Sequence, residues 1–147
     1  MAQVIVFNHP DYNFTCCVRH FNPDLTPAEA MALNMPVGAT NIFAVDDSIL
    51  PVDNTFRNAW KVTGGGAVEV DMTVAKDIWL LGIGYALEEK LKELLLNDTF
   101  NTVKSERTAL LPQIAAAANV AALKLLWPAA LPVTDYSVIG IGYKAGD

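Results

Sequence analysis

Four side chains able to ligate a metal or act as nucleophiles crowd the start of the chain: His9, Cys16, Cys17 and His20. Zinc would need them to converge tetrahedrally at a recognised spacing, and the spacing here matches none of the standard patterns. A strand through Phe14–His20 turns successive side chains to opposite faces, which separates Cys16 from Cys17 and scatters the four groups. They read as packed thiols and surface imidazoles. Asp46, Asp47 and Asp53 carry oxygens suited to a hard cation, but they lack the central glycine and alternate spacing of a calcium loop. As loop carboxylates they are better suited to capping nearby backbone N–H groups. Gly64-Gly65-Gly66 is followed by no lysine and opens no G-x-G-x-x-G pattern, so it reads as a tight reversal. The serines are Ser48, Ser105 and Ser137, none in a nucleophile-elbow context. No catalytic constellation emerges, and neither a metal nor a cofactor is expected. The reading is of a non-enzymatic chain.

The stretch around which the elements are arranged is Asp53–Trp79. Phe56 and Trp60 bracket Arg57, Asn58 and Ala59; the glycine turn follows, and Val68-Glu69-Val70 alternates as a half-buried strand does. Asp71 suits an N-cap for a long helix. Upstream, Gln3–Phe7 and Phe14–His20 are β-prone runs joined by an Asn/Pro/Asp-rich loop, which predicts a hairpin. Thr26-Pro27-Ala28-Glu29 carries a capping box with proline in the first turn, so a short helix should run to Asn34. Asn41–Val45 predicts a third strand after the Pro36-Val37-Gly38 turn.

Downstream, Leu80, Ile83, Leu87, Leu91 and Leu94 mark one helix over Met72–Leu96. Further helices are expected over Asn101–Leu111, ended by Pro112, and over Asn119–Leu126. The tail from Asp135 to Tyr143 is β-like. Gly-Ile-Gly-Tyr occurs at 82–85 and again at 140–143, in contexts too different to make a repeat. The expectation is a single α+β domain over 1–147. A small antiparallel sheet (1–70) precedes a helical hairpin built on a long helix (71–132), and a short extended tail (133–147) closes the chain.

Composition limits the partners. Of the 147 residues 52% are hydrophobic and only 18% charged, mean hydropathy is +0.29 and net charge −6. A negative chain without a Lys/Arg cluster is not expected to bind nucleic acid. Two adjacent cysteines are no disulfide framework, which fits a reducing compartment. The N-terminus lacks the basic and apolar regions of a secretory signal, and no apolar run reaches the length of a membrane span. Ile78–Leu87 is uncharged on every helical face, and such a helix is normally covered on all sides. Another subunit is therefore expected to cover part of it. Phe56, Arg57, Trp60, Trp79, Leu80, Leu81, Ile83, Tyr85, Trp127, Ile139 and Tyr143 are the candidate partner-binding residues, because aromatic and arginine side chains dominate interfaces.

The order of these segments resembles a loosely defined family of small tailed-bacteriophage proteins. Thr55-Phe56-Arg57-Asn58-Ala59-Trp60 and Val70-Asp71-Met72 carry the resemblance most specifically. Pro36-Val37-Gly38, Val45-Asp46-Asp47, Leu50-Pro51, Ala75-Lys76 and Leu123 with Leu126-Trp127-Pro128-Ala129-Ala130-Leu131-Pro132 extend it over about residues 3 to 132. Two departures stand out: family members carry a strongly charged long helix where Ile78–Leu87 has no charge, and the residues after Val133 have no counterpart. The resemblance implies a virion protein, synthesised in the host cytoplasm and built into the tail, baseplate or fibre, whose partners are other phage structural proteins in a homo- or hetero-oligomer. A tail-fibre assembly chaperone that does not stay in the virion is the alternative.

Overall fold

The apolar run Val4-Ile5-Val6-Phe7 is uninterrupted, and a strand of that kind needs cover on both faces. In the computed structural model, which describes residues 2–132, it receives that cover. β1 (Gln3–His9) is the centre of a three-stranded antiparallel sheet, between β2 (Thr15–His20) and β3 (Thr40–Asp46). Ile5 and Phe7 point to α1 (Pro27–Asn34), in a cluster with Ala30, Met31, Cys17 and Ile42. Val4 and Val6 point the other way, against the hairpin of β4 (Trp60–Val62) and β5 (Val68–Val70), in a cluster with Cys16, Trp60, Val62 and Phe43. Cys16 and Cys17 thus enter opposite layers, as strand alternation requires.

Local signals fix the ends of these elements. Thr26 accepts from Glu29 N at 3.3 Å while Glu29 Oε2 accepts from Thr26 N at 2.8 Å, closing the capping box. Ala39 N donates to Pro36 O across a turn in which Gly38 takes φ +87°. Within the glycine triplet Gly66 holds the positive φ, at +84°, and a Cβ there would lie only 3.2 Å from the Phe43 ring.

The chain divides into two compact units between Asp71 and Met72. The second, over its described residues, is helical: α2 (Met72–Leu96), α3 (Phe100–Ala116) and α4 (Val120–Lys124). Lys76 Nζ, early in α2, donates to Ala115 O at the end of α3 at 2.7 Å, so the two long helices run antiparallel. Asp98, at φ +59°, turns the chain between them. α3 does not stop at Pro112, contrary to expectation, but continues to Ala116. Proline costs the helix its bond to the Thr108 carbonyl, yet both residues are exposed, so water can take that acceptor. Ile114, 1% exposed, anchors the last turn. The fold is α+β. Among the described residues no helix is long and apolar enough to cross a membrane. The expected β-like tail, with Ile139 and Tyr143, lies outside the described residues.

Candidate functional site

The Phe56-Arg57-Asn58-Ala59-Trp60 segment explains its own pattern once folded. A 3-10 turn over Arg57–Ala59 sends Phe56, Ala59 and Trp60 inward and leaves Arg57 exposed. Trp60 is 3% exposed within the cluster beneath β1, and its indole N–H has no hydrogen-bond partner among the described residues. The Arg57 guanidinium carbon lies 5.9 Å from the Trp60 ring centroid, within cation–π range. A buried aromatic therefore fixes the root of an exposed cation.

Arg57 borders two cavities of the first unit. One, of about 470 Å³, is lined by Phe7, His9, Tyr12, Thr15, Cys16, Cys17, Val18 and Arg19 of the β1–β2 hairpin, and by Arg57 and Asn58. Its walls include residues from both faces of β2, so it wraps the outer edge of that strand. Thr15 Oγ1 donates to Asn58 O at 3.3 Å, which ties the strand to the 3-10 turn. The His9 ring stands 4.5 Å from that of Tyr12, and His9 Nδ1 accepts from Asp11 N at 3.1 Å. The other cavity, of about 400 Å³, lies among Val18, His20, Asp47, Leu50, Asn54 and Trp60. Arg19 reaches the first cavity from β2, its guanidinium carbon 6.0 Å from the Phe7 ring centroid.

The thiols at this place are poor nucleophiles. Burial, with the neighbouring Cys17 second, pushes the Cys16 thiol up to about 12. Burial also raises Cys17, against the opposing pull of Arg19 and then Arg57. The loop carboxylates serve local geometry: Asp46 Oδ1 accepts from Ser48 N and Asp53 Oδ1 from Thr55 N, each at 2.9 Å. The Ser48 hydrogen bonds hold the Asp46 carboxyl below its ordinary value. Among the described residues no group of three or more His, Cys, Asp or Glu side chains could hold a metal ion.

The other interface candidates divide by burial. Phe56, Trp60, Trp79 and Ile83 are buried, so their large side chains stabilise their own units. Trp79 Nε1 donates to Leu126 O at 2.8 Å, and its ring meets that of Trp127 edge-on at 5.5 Å. Trp127, half-buried, donates to Leu131 O at 3.0 Å, and Ala130 N donates to Glu106 Oε2 at 2.9 Å. The Leu126–Pro132 motif is thus a clasp that binds the chain back onto α2 and α3. Leu80 and Leu81 are half-buried and Tyr85 is 60% exposed. The uncharged run of α2 is therefore not covered all round: Ile78, Trp79, Gly82, Ile83 and Ala86 fill its inner face, and its outer face is open.

Sequence reasoning singled out Arg57 but missed Arg19 and Asn8. Asn8, 2% exposed, donates through Nδ2 to Val62 O at 2.9 Å and accepts from Val62 N at 2.8 Å through Oδ1. One signal was available: a polar residue that continues the inward register of Val4 and Val6 must find a partner if buried. Arg19 carried no comparable signal, since only the fold brings β2 beside the 3-10 turn. Compared with protein-family models, curated proteins and solved structures, the chain matches none.

Proposed function

We propose that this chain is a non-enzymatic virion subunit of a tailed bacteriophage, placed in the tail, baseplate or fibre region and acting through protein–protein contacts. The observation that carries the reading is the outer face of α2. Leu81, Tyr85, Leu91 and Leu95 fall within about a third of the helix circumference, given 3.6 residues per turn. Tyr85 and Leu95 are 60% and 58% exposed. Exposed Glu88 and Lys92 share that arc, so the face mixes apolar and charged groups, and its exposed tyrosine and leucines suit contact with another subunit. The resemblance of Thr55–Trp60, Val70–Met72 and Leu126–Pro132 to small tailed-phage proteins supplies the setting.

Mass spectrometry of purified particles, with size-exclusion chromatography of the recombinant chain alongside, tests this. Expected is stoichiometric presence in the particle and a chain that self-associates or binds a co-expressed virion protein. Absence from the particle, with a well-behaved free chain that binds immature fibre, would replace the virion reading with an assembly chaperone.

A further inference from the structure

We propose that the groove along the outer edge of β2 receives an acidic side chain of an extended partner polypeptide, held between the guanidiniums of Arg19 and Arg57. This rests on the assembly reading for the existence of a partner and adds the partner's chemistry. The first support is charge. The chain carries 16 acidic and 10 basic residues, so carboxylates are in surplus. Yet the ion pairs among the described residues are Lys61–Asp71 and Lys90–Glu93, and neither groove arginine takes part. Each instead rests near an aromatic ring, Phe7 for Arg19 and Trp60 for Arg57. That arrangement positions the cation, and among the described residues its planar donor set has no carboxylate partner.

Both guanidiniums border the same cavity, Arg19 from β2 and Arg57 from the 3-10 turn, and Cys17 lines it too. The cavity, about 470 Å³, falls in the range of sites that recognise a small group. Phe7, His9 and Tyr12 supply ring surface beside the two guanidiniums, so a side chain with an apolar stem and a charged head fits its lining. A guanidinium fork matches a carboxylate bidentately. β2 is an edge strand in the order β2-β1-β3, and an extended segment is the shape that lies along such an edge.

The test is a titration of the isotopically labelled full chain with the capped pentapeptide Thr-Val-Glu-Val-Thr, read at the arginine Nε–Hε signals. The chain's arginines are Arg19, Arg57 and Arg107, so Arg107 serves as an internal control. Expected are saturable shifts at Arg19 and Arg57 and none at Arg107, with at least tenfold weaker binding of the Thr-Val-Gln-Val-Thr analogue. Arg57→Gln and Arg19→Gln should each weaken binding at least fivefold; both residues are exposed, so neither change removes core packing. Equal binding of the glutamine peptide, parallel shifts at Arg107, or parental affinity in either variant would overturn the proposal. So would displacement of the peptide by inorganic phosphate at a lower concentration than the peptide itself, which would make this a phosphate site. Because the titration uses the isolated chain, a saturating groove together with absence from particles would sink the virion reading and leave this one standing.

Discussion

Removing the Asn8 side chain should cost the first unit far more stability than its small size suggests. Thr63 N donates to Ala67 O, which makes Thr63–Ala67 a bonded pair of the β4–β5 hairpin. Val62 lies opposite Val68 in the same register, so its own N–H and C=O point away from β5. Asn8 meets both, and Asn41 Nδ2 donates to the same carbonyl at 2.9 Å. In Asn8→Ala the Val62 carbonyl keeps Asn41, but the N–H of a residue only 1% exposed loses its partner. An orphaned buried donor costs about 1–3 kcal/mol, and losing the second bond adds about 0.5–1.5 kcal/mol. The sum is about 1.5–4.5 kcal/mol. Asn41→Gly, which suits the φ of +51° at that position, removes one of two donors at an exposed site and should cost only about 0.5–1.5 kcal/mol.

Urea unfolding followed by the amide signals of β1 and β4 reads this unit by itself, and hydrogen exchange at the Val62 amide reads the bond directly. Asn8→Asp adds a sign test. Its carboxylate would accept from Val62 N but face Val62 O with no proton to give, so burial and the facing carbonyl raise its folded-state pKa. Stability should then be greatest at low pH and fall as pH rises through the carboxyl range. A loss in Asn8→Ala no larger than in Asn41→Gly, with Val62 still protected, would refute the reasoning.

Other consequences follow from the same geometry. Trp79→Phe forfeits the 2.8 Å bond to Leu126 O, whereas Trp60→Phe removes an indole N–H with no partner among the described residues. Trp79→Phe should therefore be the costlier of the two by about 1–3 kcal/mol in denaturant unfolding. With Cys16 pushed up to about 12, its thiolate fraction at pH 8 is about one in ten thousand, so native thiols should alkylate far more slowly than urea-unfolded ones. Half-buried Cys17 should be modified before Cys16, as peptide mapping would show. The side-chain and backbone hydrogen bonds of Thr26 hold Glu29 below its ordinary value of 4.5. A carboxylate depressed in the folded state stabilises above its unfolded pKa and loses that contribution as pH falls through the folded one. Glu29→Gln should accordingly flatten the acid limb of α1 melting below about pH 4.5, read by amide signals of Ala30 and Met31.

Where the residues of one element settle its structure, the sequence was enough. Thr26 and Glu29 fix the start of α1 because both capping partners lie within one turn, and the leucine spacing fixes α2. The continuous apolar run of β1 held a further clue, since alternation is the mark of a half-exposed strand and its absence implies a central one. Long-range relations were not legible. Nothing in the spacing of Asn8 and Val62 announces a bond between them, and Arg19 meets Arg57 in one groove only because β2 passes the 3-10 turn. Burial of Phe56 and Trp60 around exposed Arg57 was undecidable from composition, because core and interface draw on the same aromatic side chains. The run Ile78–Leu87 was legible only in part. Lack of charge says that a helix face can be covered, and Tyr85 shows one that its own unit leaves open.

That open face carries the central claim, and cross-linking mass spectrometry on purified particles addresses it most directly. Lys90 and Lys92 lie on α2 between Tyr85 and Leu95 and provide the reactive amines. Expected are stoichiometric copies of the chain in the particle, with cross-links from these lysines to a second copy or another virion polypeptide, and their loss from the particle in a Tyr85→Glu, Leu95→Glu variant that still folds. A particle without the chain, or one in which the variant assembles in normal amounts, would contradict the claim.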